Sequence, residues 1–450
     1  LKHRTRARIG VPVRFLEHRR PRDGGAEAPG LPPPSAPLTH EAVPLRLHSA
    51  LVQTSTATGR LSSRFPNIQN LPKQADDGDD DDAAAAGVPA ARVCVRDAIR
   101  ASAPNRELLS VDYGQIEMRL LAHFAGDAAF VAAANPEMAA RAAASGPPPD
   151  IYRMVAAQCF AVAPAAVSDD QRRQAKTCCL GFMYGQGKVD AARKLGVTPA
   201  EAAAVQGSLR SRFPGIPAFL AAARAFATRH GWVPTLTGRR RLLPGIRSAQ
   251  ARVRSQAERQ SVNAVIQGSA ADVIKTAMLI LARTIAAARD AVFGGPIGRE
   301  SLAKTAPDAS PPDPSPAAQP SAGPRFRGEL EPYDAPTVWT LAHCDVVHQI
   351  HDELLLDIPA APGGRGGAEA EHRGRICAVL GHVLSTLAPR EVERIGTEWL
   401  AGVGAAPTPA ALHSCGGREV VRLVSFGGGF RCRFPVRFAA GPTYGSLEEL

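Results

Sequence analysis

Two short apolar runs that each deliver an aspartate constrain this chain more than any other feature. LLSVD (residues 108–112) reads as a strand ending on Asp112. VVHQIHDELLLDI (346–358) reads as two short strands joined by a turn that carries Asp352. Between them lies a long, Ala-rich stretch with helical periodicity. Strands on both sides of a helical middle suggest one mixed sheet with a helical insertion. A carboxylate at a strand end is held rigidly at the sheet's edge, and a hairpin tip presents its side chains to a cleft. If the strands adjoin, the two carboxylates meet. Mg2+ prefers oxygen ligands from one or two carboxylates plus phosphates. Two such ions ~3.5–4 Å apart stabilise both the attacking and the leaving oxygen of a displacement. Taken singly, either Asp reads as an ordinary turn or cap residue.

A helix supplies the complementary charge. Ser168-Asp169-Asp170-Gln171 is a capping-box pattern that starts a helix over 172–184. On it Arg172, Lys176, Leu180 and Tyr184 recur every four residues, a stripe ~18 Å long at ~1.5 Å per residue. The basic end can neutralise phosphate, and the Tyr end can contact a sugar and base. Alone, such a stripe also reads as a solvated helix face. With the two carboxylates it suits phosphoryl transfer from a nucleotide. Arg259, Asn263 and Gln267 form a second stripe on a helix over 256–288, fit for hydrogen bonding in a nucleic-acid minor groove. TGRLSSRFPNIQNLP (58–72) carries small hydroxyls, amides and Arg60, which suit contacts that position DNA without reading it. Either stretch alone also reads as a structural element.

Charge and composition agree with a polyanionic partner. The 450 residues carry a net charge of +11, with a pI of about 9.6. Residues 1–45 are Arg- and Pro-rich and read as a disordered arm, a nuclear-localisation or DNA-contact patch, or a transit remnant. The expected compartment is the nucleus, with an organelle as the alternative. The acidic run 75–87 and the Pro/Ser/Gly-rich stretch 292–338 read as solvated inserts. Residues 361–374 and 401–418 read as flexible joints. Eight cysteines occur without a C-x-x-C pair, which argues against zinc and for reduced thiols. No apolar run reaches the ~18 residues of a membrane span, so no membrane partner is expected. The first residue is Leu1 rather than Met, as in a fragment.

The segments, in this order and spacing, resemble the family A DNA polymerases. The likeness covers roughly residues 46–72, 93–290 and 340–450. LLSVDYGQIEMRLLAH looks like the family's first carboxylate motif, and RRQAKTCCLGFMYG its nucleotide-binding finger helix. RQSVNAVIQGSAAD resembles its template-primer contact helix, and QIHDELLLDI its second carboxylate motif. YGQG, TLTGRRRLLPGI and the insert positions are closest to the theta and nu branch.

The resemblance implies an α+β, right-hand polymerase fold with an antiparallel palm sheet and inserted helical fingers. The palm would be split between 46–128, with an insert at 73–92, and 260–450. The fingers would be 129–259, with the thumb and any proofreading domain largely absent. It implies template-directed DNA synthesis, adding dNTPs to a primer 3′-OH with two Mg2+ ions, Mn2+ being a substitute. Asp112 and Asp352 would hold the metals with the Tyr113 carbonyl, and Glu353 would support them. Arg172 and Lys176 would grip the triphosphate. Gln115 and His351 would neighbour the nucleotide and primer end, while Glu117 and Tyr184 would block a ribose 2′-OH. Arg60, Asn67, Gln69, Arg259, Asn263, Gln267 and Gln349 would contact primer-template DNA.

Two departures stand out: Gly114 replaces the usual Ser, and Leu180 replaces an aromatic that stacks on the incoming nucleotide. The alternatives are a weakened, non-catalytic DNA-binding relic and a single-subunit RNA polymerase. The implied biology is repair, lesion bypass or end joining.

Overall fold

The computed structural model describes residues 9–11, 45–71, 95–135, 150–184, 188–293, 333–360, 367–404 and 430–450. The acidic run 75–87 and most of the 292–338 insert lie outside them. The centre is a five-stranded sheet ordered β11-β10-β5-β9-β8. Its strands are β5 (Arg106–Tyr113), β8 (Asp345–Ile350), β9 (Glu353–Pro359), β10 (Val436–Gly441) and β11 (Glu448–Glu449). Every pairing is antiparallel, so the mixed sheet expected from the strand pattern is corrected, while its assembly across a helical insertion holds.

Strand alternation sorts the sheet into two faces. Leu109, Val111 and Tyr113 of β5, with Leu354, Leu356 and Ile358 of β9, point into the main core. Leu108, Val347, Ile350 and Leu355 cover the other face with Ile68, Ile99 and Tyr444. Each fully buried aliphatic side chain contributes ~1.5–3 kcal/mol, so this pattern fixes which residues face the cleft. Asp112 shares its face with Leu108. It stands directly across from Glu353 on β9 and from Arg437 on β10.

The helices between the strands are α1 (Ile116–Ala125), α2 (Ala128–Ala133), α3 (Ile151–Phe160), α4 (Asp169–Tyr184), α5 (Lys188–Leu195), α6 (Pro199–Arg212) and α7 (Gly215–His230). The capping box before α4 forms as read. The Gln171 N–H donates to Ser168 Oγ at 3.1 Å, and the Ser168 N–H to Gln171 Oε1 at 3.0 Å. Helix α8 (Ala251–Phe293) is longer at both ends than the sequence reading. It is the one helix among the described residues long and apolar enough to cross a membrane, yet 72% of its apolar window is buried inside the fold. That burial is what a core helix requires.

Three other readings change. Ile9–Val11, assigned to a disordered arm, pairs with Leu45–Leu47. Helix α9 (Ala335–Ala342) starts inside the stretch read as insert, capped by Asp334, whose carboxylate accepts from the Thr337 N–H. Helices α10 (Gly367–His382) and α11 (Ala388–Gly404) run into both supposed joints. For the helices, local Gly and Pro content hid elements that tertiary packing stabilises.

One knot ties the 58–60 loop to α8. Arg239 Nη2 donates to the carbonyls of Thr58 (2.9 Å) and Gly268 (3.0 Å), and Arg239 Nε donates to Asp272 Oδ1 at 3.1 Å. Gly268 permits this approach, because an added Cβ would lie 2.6 Å from Thr235 Cγ2 and 3.2 Å from Arg239 Nη2. Ala would gain ~1 kcal/mol in helix propensity but push Thr235 aside and crowd the Arg239 guanidinium. Gly268→Ala should therefore lose about 1–3 kcal/mol net. Thermal unfolding reads this directly; an unchanged Tm would mean that Thr235 yields freely.

Candidate active site

The β5–β9 pairing brings the two predicted carboxylates together. A two-residue turn, His351-Asp352, joins β8 to β9, with His351 in the left-handed region at φ 55°. The Gln349 side-chain amide donates to the His351 carbonyl and braces that turn. The Tyr113 N–H donates to the Asp352 carbonyl at 3.2 Å, which sets the end of β5 against the turn. The Tyr113 phenol points the other way. It donates to the Leu384 carbonyl at 2.9 Å, and burial holds its pKa well above the ordinary value.

Electrostatically this corner is strained. Burial pushes the Asp352 carboxyl up to about 6; Arg60 opposes the shift, and the charges of Glu117 and Asp112 add to it. Glu353 is also raised by burial, against hydrogen bonds donated by Ser110 Oγ (2.6 Å) and the Tyr444 hydroxyl (3.1 Å). Two arginines offset the negative charge. Arg60 donates to Glu117 and lies 3.5 Å from Asp352 Oδ1. Arg437 donates to Asp112 Oδ2 at 2.8 Å.

A cavity of about 220 Å3 opens beside Asp352, lined by Gln115, Ile116, Glu117, Met118, Tyr152, Leu180 and Asp352. Gln115 caps α1 in the left-handed conformation (φ 55°), and its Oε1 is buried without a hydrogen-bond partner. A buried acceptor left open beside a cavity asks for a donor from a ligand. Leu180 reaches the cavity from α4, as its place on the stripe predicts. Lys176 holds its ammonium 5.9 Å from the Tyr152 ring centroid, and Arg172 pairs with Asp150 at 2.5 Å. The Tyr184 side chain lies outside the described residues. Tyr152 escaped the sequence reading; the only signal was its place after the N-cap Asp150, whose side chain accepts from the Arg153 N–H.

The residues read as DNA contacts divide by exposure. Asn67 and Arg259 are exposed, Asn263 is half-buried, and Arg60 turns into the site. Gln69, Gln267 and Gln349 are buried. Gln69 Nε2 donates to the Gln349 carbonyl at 3.0 Å and its Oε1 at 3.2 Å, so this pair supports the hairpin from within. His351 sits at the surface with its ring partly desolvated, and that desolvation, with the charge of Arg60, lowers its pKa.

No group of three or more His, Cys, Asp or Glu among the described residues forms a closed metal site. The pair Asp112 and Asp352 nevertheless suits Mg2+, which takes a few carboxylate oxygens and completes its shell with phosphate and water. A guanidinium beside each carboxylate shows that the corner demands positive charge.

Residues 36–293 match the model of DNA polymerase family A. The chain belongs to that family. DNA polymerase I of Chloroflexus aurantiacus is 37% identical over 240 residues, 53% of this chain and 23% of the relative. DNA polymerase I of Deinococcus radiodurans is 38% identical over 240 residues, 52% of this chain and 22% of the relative. The chain thus spans about a quarter of the length of the curated relatives it matches. A solved structure, the POL domain of Pol1 from M. smegmatis in complex with DNA primer-template and dNTP, superposes with a TM-score of 0.54 at 24% identity. The match covers 89% of this chain and 48% of that one, and carries the likeness of fold.

The raised Asp352 makes a prediction about stability. Its folded pKa of about 6 exceeds the ordinary 3.8. Between those values the folded state holds a proton that the unfolded state has released, so stability falls as pH rises through that window. Asp352→Asn removes this loss. In chelator, the variant should gain on the order of 2 kcal/mol relative to the parent between about pH 4 and pH 7. Urea unfolding at both pH values measures it; a difference independent of pH would refute the shift.

Proposed function

We propose that this chain is the catalytic region of a DNA-directed DNA polymerase, adding dNTPs to the 3′-OH of a primer annealed to template DNA. One observation carries the reading. Asp352, Glu117, Gln115 and Leu180 line a single cavity in a chain of this family, with Arg60 joining Glu117 to Asp352. In the right-hand description, the five-stranded sheet is the palm and residues 129–259, from α2 to the start of α8, are the fingers.

Asp112, Asp352 and the Tyr113 carbonyl would hold divalent ions, which when bound supply positive charge to the attacking and leaving oxygens. The protein does the positioning. Lys176 and Arg172 hold the triphosphate, Arg172 exchanging Asp150 for phosphate. Leu180 and Tyr152 pack against sugar and base. Glu117, braced by Arg60, fills the space a ribose 2′-OH would need. Glu353, held by Ser110 and Tyr444, supports the carboxylate corner. Arg60, Asn67, Arg259 and Asn263 meet the primer-template, with Gln69, Gln267 and Gln349 behind them. The motif wording of YGQG and TLTGRRRLLPGI supports the theta and nu branch, and with it repair, lesion bypass or end joining in the nucleus.

Primer extension with dNTPs, with rNTPs and without nucleotide tests the reading. Extension by dNTPs alone supports it; extension by rNTPs would favour an RNA polymerase, and none at all a DNA-binding relic. Asp112→Asn or Asp352→Asn should abolish extension while leaving DNA affinity nearly intact, because affinity comes mostly from phosphate neutralisation. Glu117→Ala should raise rNTP use relative to dNTP in single-nucleotide insertion. An unchanged ratio would remove Glu117 from the sugar site.

Leu180→Phe should lower the dNTP concentration for half-maximal insertion several-fold. Stacking on a base contributes ~1–3 kcal/mol, and an aliphatic side chain supplies only part of it. If neither Phe nor Tyr at 180 improves nucleotide use, Tyr152 already fills that role.

A further inference from the structure

Asp112 has a neighbour that neither the carboxylate motifs nor the nucleotide cavity calls for. Arg437 stands on β10 directly opposite Asp112 in register, and its Nη2 donates to Asp112 Oδ2 at 2.8 Å. Strand pairing from Val436↔Tyr113 through Gly441↔Leu108 fixes this juxtaposition, so the two side chains meet without any induced change. The guanidinium is 61% exposed and the carboxylate 36%. An ion pair this wet contributes little to folding. It does sit on the carboxylate that, in the reading above, a divalent cation must engage. Guanidinium stays charged at any working pH, so it competes for Asp112 under all conditions in which the enzyme would act.

Resting on that reading, we propose that Arg437 is a resident counter-ion for Asp112, which divalent metal must displace and which therefore sets the metal concentration at which the site loads. The physical case is simple. A doubly charged ion gains more from two carboxylates than a guanidinium gains from one. An exposed arginine can leave by changing rotamers, with no backbone movement. Arg60 lies 3.5 Å from Asp352 and is less exposed, at 22%, so it cannot leave as cheaply. Of these two guanidiniums, Arg437 is thus the more easily displaced.

Mn2+ binding, followed by the loss of the free-ion spin-resonance signal, tests this without DNA or nucleotide. The parent, Arg437→Gln, Arg437→Lys, Asp112→Asn and the Asp112→Asn/Arg437→Gln double variant are titrated in the full chain. Arg437→Gln should bind Mn2+ about two- to fivefold more tightly than the parent, the range expected when an exposed partner is removed. Arg437→Lys, which keeps the charge but loses the planar fork, should fall between. In the Asp112→Asn background, Arg437→Gln should change nothing. Equal or weaker binding by Arg437→Gln overturns the proposal while leaving Asp112 a metal ligand. If Arg437→Gln is unfolded by circular dichroism, Arg437→Lys decides alone, and affinity no better than the parent's overturns it. If the parent shows no saturable Mn2+ binding that Asp112→Asn removes, the metal reading itself fails and the counter-ion role falls with it.

Discussion

The pairing of β5 with β9 is the constraint from which the candidate site follows. It runs antiparallel from Arg106↔Pro359 to Asp112↔Glu353. A slip of one residue would turn every carboxylate to the wrong face, so both ends of the ladder are pinned. At the far end, Arg106 donates to Asp357 Oδ1 at 3.0 Å and to the His343 carbonyl at 2.7 Å, while Arg373 closes on the buried Glu107. At the near end, the Tyr113–Asp352 backbone hydrogen bond sets strand against turn.

The register concentrates negative charge that the fold does not need for its own stability. Asp352 and Glu353 sit where burial raises their pKa values, with Asp112 beside them adding repulsion. Arginines from three separate stretches, Arg60, Arg96 and Arg437, face this charge. A corner that is uncomfortable when ionised gains when cations arrive, which is how preorganised electrostatic sites store their capacity for work.

Much of this was legible in the sequence because the signals were local. The strand ending in Asp112, the HDE turn and the Ser168–Gln171 box each declare themselves within a few residues, and so does the four-residue stripe that carries Leu180 to the cavity. Tyr152 and Arg437 were not legible. Tyr152 matters only because α3 packs against α4, and Arg437 only because β10 chooses β5 as its partner. Such adjacency is a property of register, not of composition. Gln69 and Gln349 show the converse: their residue types suggest contacts with a ligand, but their depth commits them to each other. The helices Ala335–Ala342 and Gly367–His382 were hidden by neighbouring Pro and Gly.

The Arg239 knot has a mechanical meaning. It clamps the loop bearing Arg60 to α8 at Gly268, on the same helix that presents Arg259 nine residues earlier. Helix rise puts roughly 13 Å along the axis between those two points, and a helix hardly stretches. In the proposed reading, a duplex touching both arginines would meet a ruler rather than a hinge, and one of the wrong width would be felt at one end as a displacement imposed by the other.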